Sequence, residues 1–135
     1  MSVPASVPSP AVPPTARAAP VPALVRVTDA VAVGGVALAV IAGPCSVEGA
    51  GMIVDTARAV RAAGATMLRG GAYKPRTSPH AFDGLGDAAL EMLAEARAAT
   101  GLPVVSEVTD PRLVERMAER VDVLVGRRSR GAGAR

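Results

Sequence analysis

Apolar residues in the middle of the chain follow two alternating spacings. Residues 50–63 set Ile53, Val54, Ala57 and Val60 three or four apart, and residues 87–100 do so with Leu90, Leu93 and Ala94, with Arg97 in the same register. That is the spacing of one buried stripe on a helix. Gly64 and Gly101 follow as stop signals. Asp110-Pro111 supplies an N-cap and a proline at the first helical position, so a third helix is predicted to residue 120, burying Leu113, Val114, Met117 and Ala118. The apolar runs at 36–42, 65–69, 103–108 and 121–125 have the length of strands. Strand and helix alternate, which predicts an α/β fold with a parallel sheet of about four strands and three helices. Upstream, Leu24, Val25, Val27, Val31 and Val33 alternate loosely, and Gly34-Gly35 supplies the turn of a short hairpin leading into the first buried strand.

Both ends lose this pattern. Residues 1–23 hold seven of the twelve prolines with no apolar period, which predicts a disordered, Pro/Ala-rich leader. Residues 127–135 are Arg, Gly, Ala and Ser, which predicts a disordered Arg/Gly tail after a folded region at 24–126. The net charge of +3 is concentrated in that tail, at Arg127, Arg128, Arg130 and Arg135, and the body is nearly neutral. Tyr73 and Phe82 are the only aromatic residues, so the stacking platforms of single-strand binders are missing and no nucleic-acid partner is expected. The core must be Val, Leu, Ile, Met and Ala, as in buried parallel strands. The longest apolar stretch, 31–44, is interrupted by Gly34 and Gly35 and falls short of the ~20 residues of a membrane helix. Neither a membrane segment nor a secretory signal is expected. A single cysteine, Cys45, excludes an internal disulfide and leans toward the reducing cytoplasm.

Chemistry concentrates where the apolar runs end. Directly after residues 65–68 comes Arg69-Gly70-Gly71-Ala72-Tyr73-Lys74-Pro75-Arg76-Thr77-Ser78-Pro79. A glycine pair turns this loop and two prolines stiffen it, while it carries three fixed cations and two hydroxyls. Arginine offers bidentate donors to phosphate or carboxylate, and lysine a compact charge. Lys74 is the only lysine in the chain. On spacing alone, a solvated basic turn fits equally well. Gly43-Pro44-Cys45-Ser46 ends the first buried strand, and Glu107 stands near the end of the third. Taken singly, Cys45 reads as a small packing residue and Glu107 as a carboxylate paired with a nearby arginine.

Together the motifs say more. The basic loop, with Ile41-Ala42-Gly43-Pro44-Cys45-Ser46 before it and Val104-Val105-Ser106-Glu107-Val108 after it, closely resembles 3-deoxy-7-phosphoheptulonate (DAHP) synthase. The likeness is to the shorter bacterial type related to 3-deoxy-manno-octulosonate 8-phosphate synthase, and it covers about residues 25–125. Ser106 stands where a threonine is more usual. The resemblance implies the N-terminal part of a (β/α)8 TIM barrel whose hairpin closes the barrel bottom. It implies condensation of phosphoenolpyruvate with erythrose 4-phosphate, the first step of aromatic amino acid (shikimate pathway) biosynthesis. Carried over by motif, Arg69 and Lys74 would hold phosphoenolpyruvate, with Lys74 assisting proton traffic. Arg76 and Thr77, with Ser78 beside them, would hold erythrose 4-phosphate, and Glu107 would place water. Cys45 would be one ligand of a divalent metal of the Mn, Fe, Zn or Co class, whose other ligands belong to the C-terminal half of the family's barrel. His80 is given no metal role.

A full barrel of this kind takes ~250 residues, so the sequence is expected to be a truncated or frameshifted product, inactive alone. Two alternatives stand beside it. One is an octulosonate-phosphate synthase-like enzyme, disfavoured because that relative has an Asn-containing motif in place of Lys74-Pro75-Arg76-Thr77. The other is a noncatalytic half-barrel that pairs through its open edges with itself or with a full-length synthase.

Overall fold

The computed structural model describes residues 23–74 and 84–126. The proline-rich leader, the Arg-rich tail, and Arg76, Thr77, Ser78 and His80 of the basic loop lie outside the described residues.

A small antiparallel hairpin comes first. β1 (Val25–Arg26) pairs with β2 (Ala32–Val33), Val25 opposite Val33 and Arg26 opposite Ala32. The expected turn at Gly34-Gly35 is corrected: the chain reverses over residues 27–31. Val27 N and Thr28 N donate to the Val31 carbonyl at 2.9 and 3.1 Å, and the Thr28 hydroxyl accepts from Val31 N at 3.1 Å. A threonine side chain that bonds its own turn supplies what a bare glycine pair cannot.

Four parallel strands follow, in the order β3 (Ile41–Ala42), β4 (Met67–Arg69), β5 (Val104–Val108) and β6 (Val123–Gly126). Three helices lie between them: α1 (Ala50–Ala62), α2 (Asp87–Thr100) and the short α3 (Val114–Ala118), which continues a 3-10 turn at Pro111–Leu113. This is the expected partial α/β fold, with each strand paired in parallel to its neighbour in the sequence. The register sets Leu68 beside Val104, Arg69 beside Val105, and Glu107 beside Val125. The first buried strand was expected over 36–42, but only its last two residues pair, and Val36 and Leu38 are exposed. Among the described residues β3 is an edge with β4 as its one neighbour, and above Ile41 the pairing passes to Thr66, whose hydroxyl accepts from Val40 N at 2.9 Å.

Strand alternation divides the sheet into two faces. Leu68 and Val104 face the helices and pack with Ile53 and Ala57 of α1 and with Leu90, Leu93 and Ala96 of α2. These side chains are almost all fully buried, and they form one core between sheet and helices. Arg61 of α1 donates to the Thr100 carbonyl at the end of α2, which joins the two helices. Gly101 ends α2 as its left-handed cap, as its place in the sequence predicts. Of the four residues expected to be buried on the third helix, Met117 is buried, Leu113 is half-buried, and Val114 and Ala118 are exposed. Opening the segment with a 3-10 turn rotates its apolar stripe away from α-helical spacing. Asp110 caps the turn as expected, accepting from Arg112 N at 2.9 Å. The Arg112 side chain, then its backbone, holds the Asp110 carboxyl down to about 2. Among the described residues no helix is long and apolar enough to cross a membrane.

Asp122, just before β6, accepts from Val104 N at 2.7 Å and pairs with Arg97 of α2 at 3.2 Å. Its exposed ion pair adds little by itself, whereas the bond to the Val104 amide satisfies a donor at the start of a buried strand. Asp122→Ala is expected to lower unfolding stability by about 1–3 kcal/mol, read as a lower urea midpoint. An unchanged midpoint would show that the amide finds another partner.

Candidate functional site

The site forms where two loops leave neighbouring strands. The chain after β3 carries Gly43-Pro44-Cys45-Ser46, and the chain after β4 carries Gly70-Gly71-Ala72-Tyr73-Lys74. Val47 N donates to the Gly71 carbonyl at 3.0 Å and joins the loops. They approach so closely that side chains are excluded on both. A Cβ at Gly43, whose φ is 146°, would fall on the Arg69 carbonyl, and one at Gly71 would fall on the Cys45 carbonyl.

This packing brings Lys74 onto Cys45. The Lys74 ammonium donates to the Cys45 carbonyl at 2.5 Å and to Cys45 Sγ at 2.7 Å. The Cys45 thiol is exposed, and its pKa is lowered, first by the Lys74 hydrogen bond and then by the Lys74 charge. Arg69 lowers it further, while desolvation and Glu107 oppose the shift. The four groups Cys45, Lys74, Arg69 and Glu107 therefore share one electrostatic neighbourhood.

Beside them an open pocket of about 270 Å³ lies at the C-terminal ends of the strands, lined by Ile41, Arg69, Val105, Ser106, Glu107 and Val125. Arg69 and Glu107 reach it because they alternate onto the sheet face that the helices leave uncovered. Among the described residues no guanidinium lies within ion-pair distance of Glu107, so the expected alternative of an arginine-paired carboxylate finds no support there. Ser106 Oγ is buried with no hydrogen-bond partner among the described residues. The pocket can hold an anion against Arg69, with the Lys74 ammonium on the neighbouring Cys45 and the Glu107 carboxylate close by to take a proton or to orient water.

A metal site is a separate matter. Among the described residues no three His, Cys, Asp or Glu side chains gather closely enough to hold an ion. Cys45 is one sulfur donor, and its contact is an ammonium. The described residues therefore do not make a metal site by themselves.

Of the residues singled out from the sequence, the structure brings together Cys45, Arg69, Lys74 and Glu107; Arg76, Thr77 and Ser78 lie outside the described residues. Sequence reasoning missed the direct Lys74–Cys45 contact. The available signal was that their loops follow strands that are consecutive and therefore adjacent in a parallel sheet. It also missed a hydrogen bond from the Tyr73 hydroxyl to Asp87 Oδ1 at 2.5 Å. Its signal was that one of only two aromatic residues stands next to the only lysine.

The profile of the DAHP synthetase I family matches residues 20–129 of the chain. The phospho-2-dehydro-3-deoxyheptonate aldolase of Thermotoga maritima is 46% identical over 94 residues, covering 70% of this chain and 28% of that protein. The 2-dehydro-3-deoxyphosphooctonate aldolase of a Bradyrhizobium species is 39% identical over 94 residues, covering 64% of this chain and 33% of that protein. The crystal structure of the Thermotoga maritima DAHP synthase superposes with a TM-score of 0.70 at 43% identity, over 76% of this chain and 29% of that one. A truncated form of the synthase from the same organism gives a TM-score of 0.64 at 39% identity, over 76% and 36% of the two chains. The chain thus spans about a third of the length of the relatives it matches.

Because Lys74 stabilises the thiolate, Cys45 is expected to alkylate at lower pH than a free thiol, since a lowered pKa leaves more thiolate at any given pH. Lys74→Ala should shift the pH–rate profile upward and slow the reaction at neutral pH. Iodoacetamide kinetics followed by mass spectrometry measure this, and overlapping profiles would refute the contact. Gly71→Ala should act in the same direction by forcing the loops apart.

Proposed function

The chain belongs to the DAHP synthetase I family, and from that premise we propose that its strand ends form the phosphoenolpyruvate side of a 3-deoxy-7-phosphoheptulonate synthase site. The observation that supports the reading is that Arg69 and Glu107 line one pocket at the strand ends, while the Lys74 ammonium lies on Cys45, whose thiol feels the charges of all three. Phosphoenolpyruvate is an anion at both its carboxylate and its phosphate. Arg69 offers it a planar fork and Lys74 a point charge.

In the proposed reaction the enol carbon of phosphoenolpyruvate bonds to the aldehyde carbon of erythrose 4-phosphate. Water adds at the neighbouring carbon, and the C–O bond to phosphate breaks to release inorganic phosphate. Arg69 and Lys74 hold and orient the first substrate. Lys74 is also able to pass a proton to the oxygen formed from the aldehyde. Glu107 orients the water and accepts its proton. Arg76 and Thr77, with Ser78 beside them in the sequence, are assigned to the phosphate of the second substrate on the strength of their motif. A divalent metal belongs to this reading through Cys45, and its remaining donors would come from beyond the described residues. The single cysteine leans toward the reducing cytoplasm as the place of reaction.

The octulosonate alternative is the weaker one. Identity to the heptonate aldolase is higher, at 46% against 39%, and Lys74-Pro75-Arg76-Thr77 is the motif of the erythrose 4-phosphate user. A second reading from another class is favoured by Ile41 and Val125, which stay 47% and 49% exposed on the uncovered sheet face. In it, the chain is a noncatalytic half-barrel that pairs with a second copy or with a full-length synthase.

The isolated 135-residue chain is expected to bind phosphoenolpyruvate weakly and to release no phosphate from the substrate pair. Arg69→Ala or Lys74→Ala should each weaken that binding about tenfold, the loss of one charge-assisted contact. Isothermal titration measures the affinity and a phosphate-release assay the turnover. Metal-dependent turnover that vanishes with Lys74→Ala would overturn the expected inactivity, and equal binding by wild type and variants would overturn the site. Size-exclusion chromatography with and without a full-length synthase separates the second reading, which a clean monomer in both runs would sink.

A further inference from the structure

The stems of the basic loop are tied together outside the site. Tyr73 immediately precedes Lys74 where the chain leaves β4, and Asp87 is the first residue of α2, on the far side of residues 74–86. The Tyr73 hydroxyl donates to Asp87 Oδ1 at 2.5 Å, and the Arg116 guanidinium of α3 pairs with Asp87 Oδ2 at 2.9 Å. The backbone repeats the tie one step inward, where Gly86 N donates to the Ala72 carbonyl at 2.9 Å. The Tyr73 ring lies over Gly86 so closely that an added Cβ there would stand 3.3 Å from its Cε1.

We propose that Tyr73, held by Asp87 and Arg116, is a positioning residue that fixes the Lys74 ammonium at the site, with the side-chain brace lying outside the anion pocket itself. This rests on the reading of Lys74 as an anion-holding group. Three elements meet in the brace, namely the exit of β4, the start of α2, and α3. A long flexible lysine gains most from such support, because its rotamer entropy opposes holding the ammonium in one place. Fixing the tyrosine ring fixes the backbone from which the next side chain departs, so Lys74 starts toward Cys45 from a defined direction. Asp87 serves twice, since one oxygen takes the phenol and the other takes the arginine. Burial, then the Asp87 carboxylate, raises the Tyr73 pKa, so the phenol keeps its proton and remains a donor throughout the neutral range.

Lys74 is the only lysine in the chain, so acylation by an N-hydroxysuccinimide ester, read by peptide mass spectrometry, follows its ammonium separately from the N-terminus. Tyr73→Phe keeps the ring over Gly86 and removes the hydroxyl. It is expected to raise the rate of Lys74 acylation about three- to tenfold, the effect of losing one hydrogen bond of ordinary strength, with a thermal melt that stays cooperative and shifts by only a few degrees. Asp87→Ala should do the same. Asp87→Asn, which retains an acceptor for the phenol, should restore most of the protection, a rescue that general loosening of the fold would not give. Arg116→Gln, on an exposed face of α3, provides a milder break of the same brace and should show a smaller increase. Unchanged acylation in both Tyr73→Phe and Arg116→Gln would overturn the proposal, as would Asp87→Asn behaving like Asp87→Ala. Phosphoenolpyruvate titration of the same variants separates the two levels. Weaker binding in step with faster acylation supports both. A wild-type chain that binds no phosphoenolpyruvate, while acylation still responds to Tyr73→Phe, retires the anion reading and supports the brace.

Discussion

The backbones leaving β3 and β4 run within contact distance of each other, and neither Gly43 nor Gly71 has room for a methyl group. The contact between Lys74 and Cys45 depends on that approach. If the loops stood farther apart, the Lys74 ammonium could not reach both the carbonyl and the sulfur of Cys45. The Cys45 thiol would then lose the strongest influence on its protonation, and the cation would face solvent. Two residues without side chains thus determine the position of two residues whose side chains carry the chemistry. A glycine pair in a basic loop can be a sign of mobility. Here the glycines serve close packing, and both Gly70 and Gly71 are buried.

The sheet that carries these loops is satisfied on one face. Parallel sheets are normally covered on both, because their strands are apolar on both. Here Leu68 and Val104 are sealed beneath α1 and α2, while the opposite face presents Ile41 and Val125 at half exposure, next to Arg69 and Glu107. That mixture is informative. A face that simply awaited apolar packing would not carry an arginine and a glutamate at the strand ends, and a solvated face would not carry isoleucine and valine. Ile41 and Met67 lie two residues below Arg69 and Val105 two residues below Glu107, and apolar residues beneath charges at the strand ends match the interior of a barrel with a site at its mouth. The same open face leaves the pocket at the strand ends open to one side.

The main elements were legible because their signals are local. The stripe of α2 and its stop at Gly101, and the cap of Asp110 on Arg112 N, each rest on residues within a few positions of one another. The placing of Cys45, Lys74 and Glu107 at strand ends was legible as well, since a strand followed by a helix leaves its connecting loop at a known edge of the sheet. Three features were not legible, each because a specific interaction competed with a generic one. The hairpin turn moved from Gly34-Gly35 to the Thr28 segment because a hydroxyl bonds its own turn. The third helix lost most of its predicted stripe because it begins as a 3-10 turn. Val36 and Leu38 remained out of the sheet because burial of an edge strand depends on a neighbour that no local pattern describes.

The pairing of Lys74 with Cys45 places two expected roles within one contact. The resemblance gives the cysteine to a metal and the lysine to a substrate anion, whereas the geometry makes each the other's partner at 2.7 Å. These assignments are compatible if the ammonium is regarded as a group with three donors. Among the described residues the carbonyl and sulfur of Cys45 take two of its directions, and a third donor is available to a carboxylate or phosphate oxygen. An anion bound there would draw on the same positive charge that stabilises the thiolate, so the sulfur and the anion compete for Lys74 electrostatically even though they do not compete for space. Arg69 lessens that competition, because it brings a second positive charge to the same thiol. On the proposed reading, in which one strand end holds a soft donor and a multiply charged anion, both cations have a use, and the chain carries them five positions apart.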